Sequence, residues 1–178
     1  CQIFDNETHG VYAYNNSGTH SSLLEKNTVA FNGGAGMYFY ESSYTLNATV
    51  QDNIVANNLS YGIYTNYGSI STSHNLVWGN SPDYYNVGAG TGSMAENPLF
   101  ADDLTRDLRL TSNSPARLHA SDGGDMGALA YGGLLTVGLR GHLYENATWL
   151  ASAGPHLVLG DITVEPGITL NIEAGSQV

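Results

Sequence analysis

Short apolar segments that alternate with polar residues recur along the first half of the chain, each bounded by Asn and Gly. Ile3-Phe-Asp-Asn6, Val29-Ala-Phe-Asn32, Val55-Ala-Asn-Asn58 and Val77-Trp-Gly-Asn80 align without gaps, at steps of 26, 26 and 22 residues. Four residues after the shared Asn, three copies place a Gly and an alternating run: Gly10-Val-Tyr-Ala-Tyr14, Gly36-Met-Tyr-Phe-Tyr40 and Gly62-Ile-Tyr-Thr-Asn66. Asn27, Asn53 and Asn75 make another column, and Leu24, Val50 and Thr72 a further one. Alternation with a period of two predicts strands, and the i, i+3, i+4 spacing of an amphipathic helix is missing. A repeat this short also excludes helix-pair arrays.

Each repeat therefore predicts one coil of about three short strands, which cannot bury its inner side chains alone. Stacking in register about 4.8 Å apart solves this. The inward columns become Ile3/Val29/Val55/Val77, Val11/Met37/Ile63 and Ala13/Phe39/Thr65. Apolar burial at roughly 25 cal/mol per Å² then holds the stack. Asn6, Asn32, Asn58 and Asn80 fall at the bend as a structural ladder, each amide donating to one neighbouring coil and accepting from the other. Their expected backbone is left-handed, which Asn tolerates at a tight corner.

The segments Asn53-Ile-Val-Ala-Asn-Asn-Leu-Ser-Tyr-Gly-Ile63 and Asn27-Thr-Val-Ala-Phe-Asn32 resemble the repeats of the pectate-lyase-like superfamily. The resemblance implies an all-β fold, a right-handed parallel β-helix, of the bacterial secreted type. Asn97-Pro-Leu-Phe-Ala-Asp102, Asp107-Leu-Arg-Leu110, Ser114-Pro-Ala116 and Asp125-Met-Gly-Ala128 are similar to the closing segment of such proteins, although His119 stands where an Asp is expected. Residues 1–133 are thus read as coils plus closing segment. Residues 134–178, with the turn Pro166-Gly167 between alternating strands, are read as the opening coil of a second β-helix. Alternation continues to Val178 without a terminating turn, so the chain is expected to be a monomeric piece of a longer one.

Charge and chemistry narrow the function classes. Five Lys and Arg against sixteen Asp and Glu give a net charge of −11, which lacks the basic footprint of a nucleic-acid binder and disfavours anionic partners. No apolar run reaches membrane-spanning length. The single Cys makes no internal disulfide, and the six His residues show no ligand spacing, so no resident metal or other cofactor is expected. Asp122 and Asp125 are the one calcium candidate, against a plainer role in capping turns.

Alternation also turns Tyr12, Tyr38 and Tyr64 outward in one column, and Tyr14 and Tyr40 in a second, which Asn66 continues. Stacked aromatics reinforce strand pairing. Exposed aromatics with hydroxyl edges also suit sugar rings. The resulting reading is a non-catalytic extracellular or cell-surface module, either a spacer or a binder of polysaccharide or surface glycan. The alternative is a fragment of a polysaccharide lyase or glycoside hydrolase whose active-site coils lie upstream of Cys1.

Overall fold

The computed structural model describes residues 1–42, 45–67 and 69–178. Strands β1 (Gln2–Phe4), β2 (Val11–Asn15) and β3 (His20–Glu25) form the first coil. The second coil is β4 (Thr28–Ala30), β5 (Met37–Glu41) and β6 (Leu46–Gln51), and the third is β7 (Ile54–Ala56), β8 (Ile63–Thr65) and β9 (Ser69–Ser73). Strands β10 (Leu76–Trp78) and β11 (Tyr84–Tyr85) begin a fourth. Equivalent strands pair in parallel into three sheets, β1-β4-β7-β10, β2-β5-β8-β11 and β3-β6-β9. The inward columns expected from the repeat are in register: Ile3 faces Val29, Val29 faces Val55 and Val77 faces Val55, while Val11, Met37 and Ile63, and Ala13, Phe39 and Thr65, pair likewise.

Two cores result. Val29, Val50, Val55, Met37, Phe39, Ile63 and Val77 fill the inside of the coils. Outside them, Ala30, Ile54, Ala56 and Leu76 pack against Phe100, Leu108, Leu110, Ala116, Ala120 and Met126. All three residues of β4, and all three of β7, are consequently buried. A parallel strand covered on both faces reads as a continuous apolar run. Ile54-Val-Ala56 and Leu76-Val-Trp78 have that pattern, and β4 departs from it at Thr28, whose hydroxyl accepts from Ala128 N; the repeat alone suggested only an inner face.

The covering layer is the segment that follows the coils. It opens with an antiparallel hairpin of β12 (Phe100–Asp102) and β13 (Asp107–Leu110) and continues in turns. It is tied to the coil corners: the buried Asp52 carboxylate accepts from Ser121 N and Oγ, both at 2.7 Å. Ala128 N donates to Thr28 Oγ1 at 3.0 Å, Arg106 meets Asp5 at 2.9 Å and Lys26 meets Asp122 at 2.6 Å. Beyond it, β14 (Leu139–Leu143) pairs in parallel with β16 (Val158–Val164), and β15 (Ala147–Trp149) with β17 (Leu170–Ile172).

The ladder forms as expected, with one correction. Asn6, Asn32 and Asn58 each donate Nδ2 to Oδ1 of the next Asn, at 2.8, 2.8 and 2.9 Å, and Asn80 donates to Asp83 at 3.0 Å. Asn27, Asn53 and Asn75 make a second ladder, both links at 3.0 Å. The left-handed residue, however, is the one before each ladder Asn. Asp5, Phe31, Asn57 and Gly79 have φ of 54°, 58°, 56° and 72°, and Lys26, Asp52 and His74 have 50°, 58° and 48°. The kink comes one residue early and turns the next side chain inward, where its amide reaches both neighbouring coils. For a residue such as Phe31 this backbone costs about 1–2 kcal/mol, offset by the buried bonds that follow it.

Candidate functional site

The sheet β2-β5-β8-β11 carries the tyrosine face. Tyr12 pairs with Tyr38, Tyr38 with Tyr64 and Tyr64 with Tyr85, while Tyr14 pairs with Tyr40. Tyr85 was missed from the sequence because Asn80 to Tyr84 is one residue shorter than Asn58 to Ile63, which shifts the fourth copy out of the repeat. Ring centroids are 5.5 Å apart for Tyr12 and Tyr38, 4.4 Å for Tyr38 and Tyr64, and 5.2 Å for Tyr64 and Tyr85. Tyr61 joins the end of this row, 4.9 Å from both Tyr64 and Tyr85.

This geometry divides the face into two parts. From Tyr38 to Tyr85 the rings lie nearly parallel, at 17° and 11°, so their faces are turned to one another and their edges outward. Burial, together with the phenol of Tyr64 beside it, pushes the Tyr38 hydroxyl up to about 12. At the other end, Tyr12, Tyr14 and Tyr40 are 56%, 50% and 36% exposed. Tyr12, Tyr38 and Tyr40 border an open depression of about 400 Å³ with Thr8 and His9. The His9 ring stacks 4.5 Å from Tyr38, held by Ala35 N donating to its Nδ1 at 3.0 Å.

Asn66 does not extend the Tyr14/Tyr40 column as expected. Its amide is drawn to the Glu41 backbone, accepting from Glu41 N at 2.8 Å and donating to Glu41 O at 2.7 Å. A short amide that can satisfy both groups of one peptide edge gains more there than by projecting into solvent.

The other sequence candidates lie apart from this face. All four carboxylate oxygens of Asp122 and Asp125 accept from the protein itself. Asp122 takes Lys26 and Gly124 N, and Asp125 takes Leu118 N and Tyr131 N. The Lys26 hydrogen bond holds the Asp122 carboxyl below the usual carboxylate range. The backbone contacts among these four are of the turn-capping kind.

A cluster that the sequence reading missed lies beyond the covering segment. His119, His142 and Glu165 offer ligand atoms that all fall within 4.8 Å of one another. The buried His142 on β14 lies between two carboxylates: Nδ1 is 2.5 Å from Glu165 Oε1 and Nε2 is 2.9 Å from Glu96 Oε2. Nδ1 of His119 is 2.7 Å from the Arg117 carbonyl. Tyr144 stacks beside His142, and its hydroxyl donates toward Ser114 O and Arg117 O at 2.9 and 3.0 Å. Burial, reinforced by the Glu165 charge, raises the Tyr144 phenol far above its ordinary value. No repeat spacing signals it, because His142 pairs with Thr163 across β14 and β16 and His119 belongs to the covering segment.

Stacked parallel coils, three sheets and internal Asn ladders define a β-solenoid. Residues 1–99 match the family model described as the right handed beta helix region, more than half of the chain. The chain belongs to the right-handed β-helix family. No curated protein and no solved structure matches it. Among the described residues, no helix is long and apolar enough to cross a membrane.

Proposed function

We propose that this chain is a carbohydrate-binding β-helix module of a secreted or cell-surface protein, related to the pectate-lyase-like superfamily. The observation that carries this reading is the open depression bordered by Tyr12, Tyr38, Tyr40, His9 and Thr8. Exposed rings with hydroxyls and an imidazole at their edge offer both stacking and hydrogen bonding to a pyranose. With a net charge of −11, neutral glycans suit the surface better than polyuronates. A second reading, a spacer whose tyrosines only brace the sheet, draws support from the 4.4 Å stack of Tyr38 on Tyr64.

Binding to an array of neutral and uronate glycans separates the two. Retention of neutral glycans is expected, and the loss of that retention in Tyr12→Ala with Tyr40→Ala would place it at the depression. A folded parent chain that retains no glycan overturns the binding reading and leaves the spacer.

A further inference from the structure

We propose that His119, His142 and Glu165 bind a divalent first-row transition-metal ion of the zinc class. The surrounding residues decide which ring lone pairs are free. His119 Nδ1 lies 2.7 Å from the Arg117 carbonyl, which can only accept, so this nitrogen carries the proton and Nε2 has the lone pair. His142 Nε2 lies 2.9 Å from the Glu96 carboxylate, which leaves Nδ1 as the nitrogen facing Glu165. Metal-binding histidines are oriented in this way, with the second ring nitrogen donating to a carboxylate or a backbone carbonyl. Both histidines have such a partner.

The donor set fixes the class of ion. Two imidazoles and one carboxylate suit zinc and its neighbours, whereas calcium and magnesium take oxygen ligands. Glu165 and Glu96 together balance a charge of two. Ligands of a tetrahedral ion sit roughly 3.3 Å apart at ordinary metal–nitrogen distances. Here His142 Nδ1 and Glu165 Oε1 are 2.5 Å apart, and all three ligand atoms are within 4.8 Å of one another. An ion there replaces the direct contact of His142 with Glu165, and the three ligands move to that spacing as it binds. His119 and Glu165 also line an open pocket of about 280 Å³ with Leu118, Tyr144, Pro166 and Ile168. Three protein ligands beside such an opening leave the fourth position to water or a small anion.

The covering segment supplies His119, and the strands after it supply His142 on β14 and Glu165 just after β16, so the ion would link the two.

The test uses the tag-free chain carrying Cys1→Ser, which removes its only thiol, stripped with a chelator and titrated with zinc(II) in a calorimeter. One equivalent is expected to bind. His119→Ala should weaken binding by about 100-fold or more, and His20→Ala, remote from the cluster, should not change it. Glu165→Gln, equal in size and still able to hydrogen-bond His142 Nδ1, should also weaken binding and alter the visible bands of the cobalt(II)-loaded chain. It keeps the test decisive if His119→Ala does not fold. The proposal is overturned if the folded parent binds no zinc, or if the folded variants at His119 and Glu165 bind it as tightly as the parent.

Discussion

Asn32 donates its side-chain amide to Asn58 Oδ1 at 2.8 Å, and the same oxygen accepts from Asn32 N at 3.1 Å. Both residues are buried. Asn58 in turn donates to Val29 O at 3.1 Å and to Asn80 at 2.9 Å. Asn58→Leu therefore leaves two donors of Asn32 unpaired inside the coil and removes the side-chain bond to the Val29 carbonyl. At about 1–3 kcal/mol for each buried unsatisfied group, partly relieved by relaxation, a loss of about 3 kcal/mol is expected in denaturant unfolding. Asn66→Leu is not silent, because Asn66 bonds the Glu41 backbone, but at that half-buried edge water replaces the lost bonds. About 1 kcal/mol is expected there. Equal losses in the two variants would contradict the ladder's role.

The Gly column is set by close approach rather than by backbone angle. A Cβ on Gly36 would lie 2.5 Å from Val55 Cγ1, 2.8 Å from Asn58 Nδ2 and 2.9 Å from the Gly62 carbonyl. The first coil repeats this at Gly10 against Val29 and Asn32. Gly36→Ala is thus expected to cost about 1–3 kcal/mol by overpacking core and ladder together. Gly88→Ala, with nothing within 4 Å of its Cβ, should leave the melting temperature unchanged. A harmless Gly36→Ala would mean that adjacent coils are further apart at this corner.

These two cases show what the sequence made legible. A ladder or a glycine column places one residue of one type at every coil, so its period shows directly in the chain. The left-handed position does not, because Asp5, Phe31, Asn57 and Gly79 share a backbone angle and no chemistry. The outer core was less legible: β7 and β10 are apolar triplets, but β4 contains Thr28 and nothing periodic connects Ile54 with Met126. The His119, His142 and Glu165 cluster is not a column of the repeat, since His142 pairs with Thr163 and His119 lies in the covering segment, so no periodicity reveals it.

The covering segment is held to the coils by contacts of unequal weight. Ser121 gives Asp52 two hydrogen bonds, and that carboxylate is 1% exposed. Ser121→Ala removes the hydroxyl from a buried charge, for which about 1.5–3 kcal/mol is expected. Faster amide exchange at Met126 and Gly127, which bond to Ala116 O and Asp52 O, should accompany it. Lys26→Ala breaks only a solvent-exposed ion pair, with side chains 37% and 59% exposed, and should change exchange little. The reverse order would mean that surface charge, not the buried bond, fastens the segment.

High pH should loosen the tyrosine row before the rest of the fold. An unperturbed phenol ionises near 10, whereas burial raises Tyr38 to about 12. Between these values the unfolded chain has lost a proton that the folded chain retains. Stability is therefore fully present below pH of about 10, falls as pH rises, and is lost from this source above about 12. Tyrosinate absorbance should show one fewer late-titrating phenol in Tyr38→Phe than in the parent, where burial also raises Tyr84 and Tyr144. The melting temperature of Tyr38→Phe should also fall less steeply over that interval. Identical pH profiles would show that Tyr38 is no more shielded than its neighbours.

The two parts of the tyrosine face should separate binding from stability. Tyr64 sits 4.4 Å from Tyr38 and 5.2 Å from Tyr85, so Tyr64→Ala breaks two parallel stacks, at about 1 kcal/mol each. Its melting temperature should drop while glycan retention by the remaining folded chain persists. Tyr12 is 56% exposed, and only Tyr38 faces it across the sheet at 5.5 Å, tilted by 36°. Tyr12→Ala is expected to cost about 1 kcal/mol of stability or less, but to weaken neutral-glycan affinity about tenfold, the equivalent of roughly 1.4 kcal/mol. Measuring both quantities on both variants distinguishes a sugar surface from a brace. If the two variants lose stability alike and neither changes retention, the row is a brace along its whole length. A loss of affinity confined to Tyr12→Ala places the ligand on the exposed rings beside His9, where a pyranose can stack without displacing a tyrosine from its neighbour.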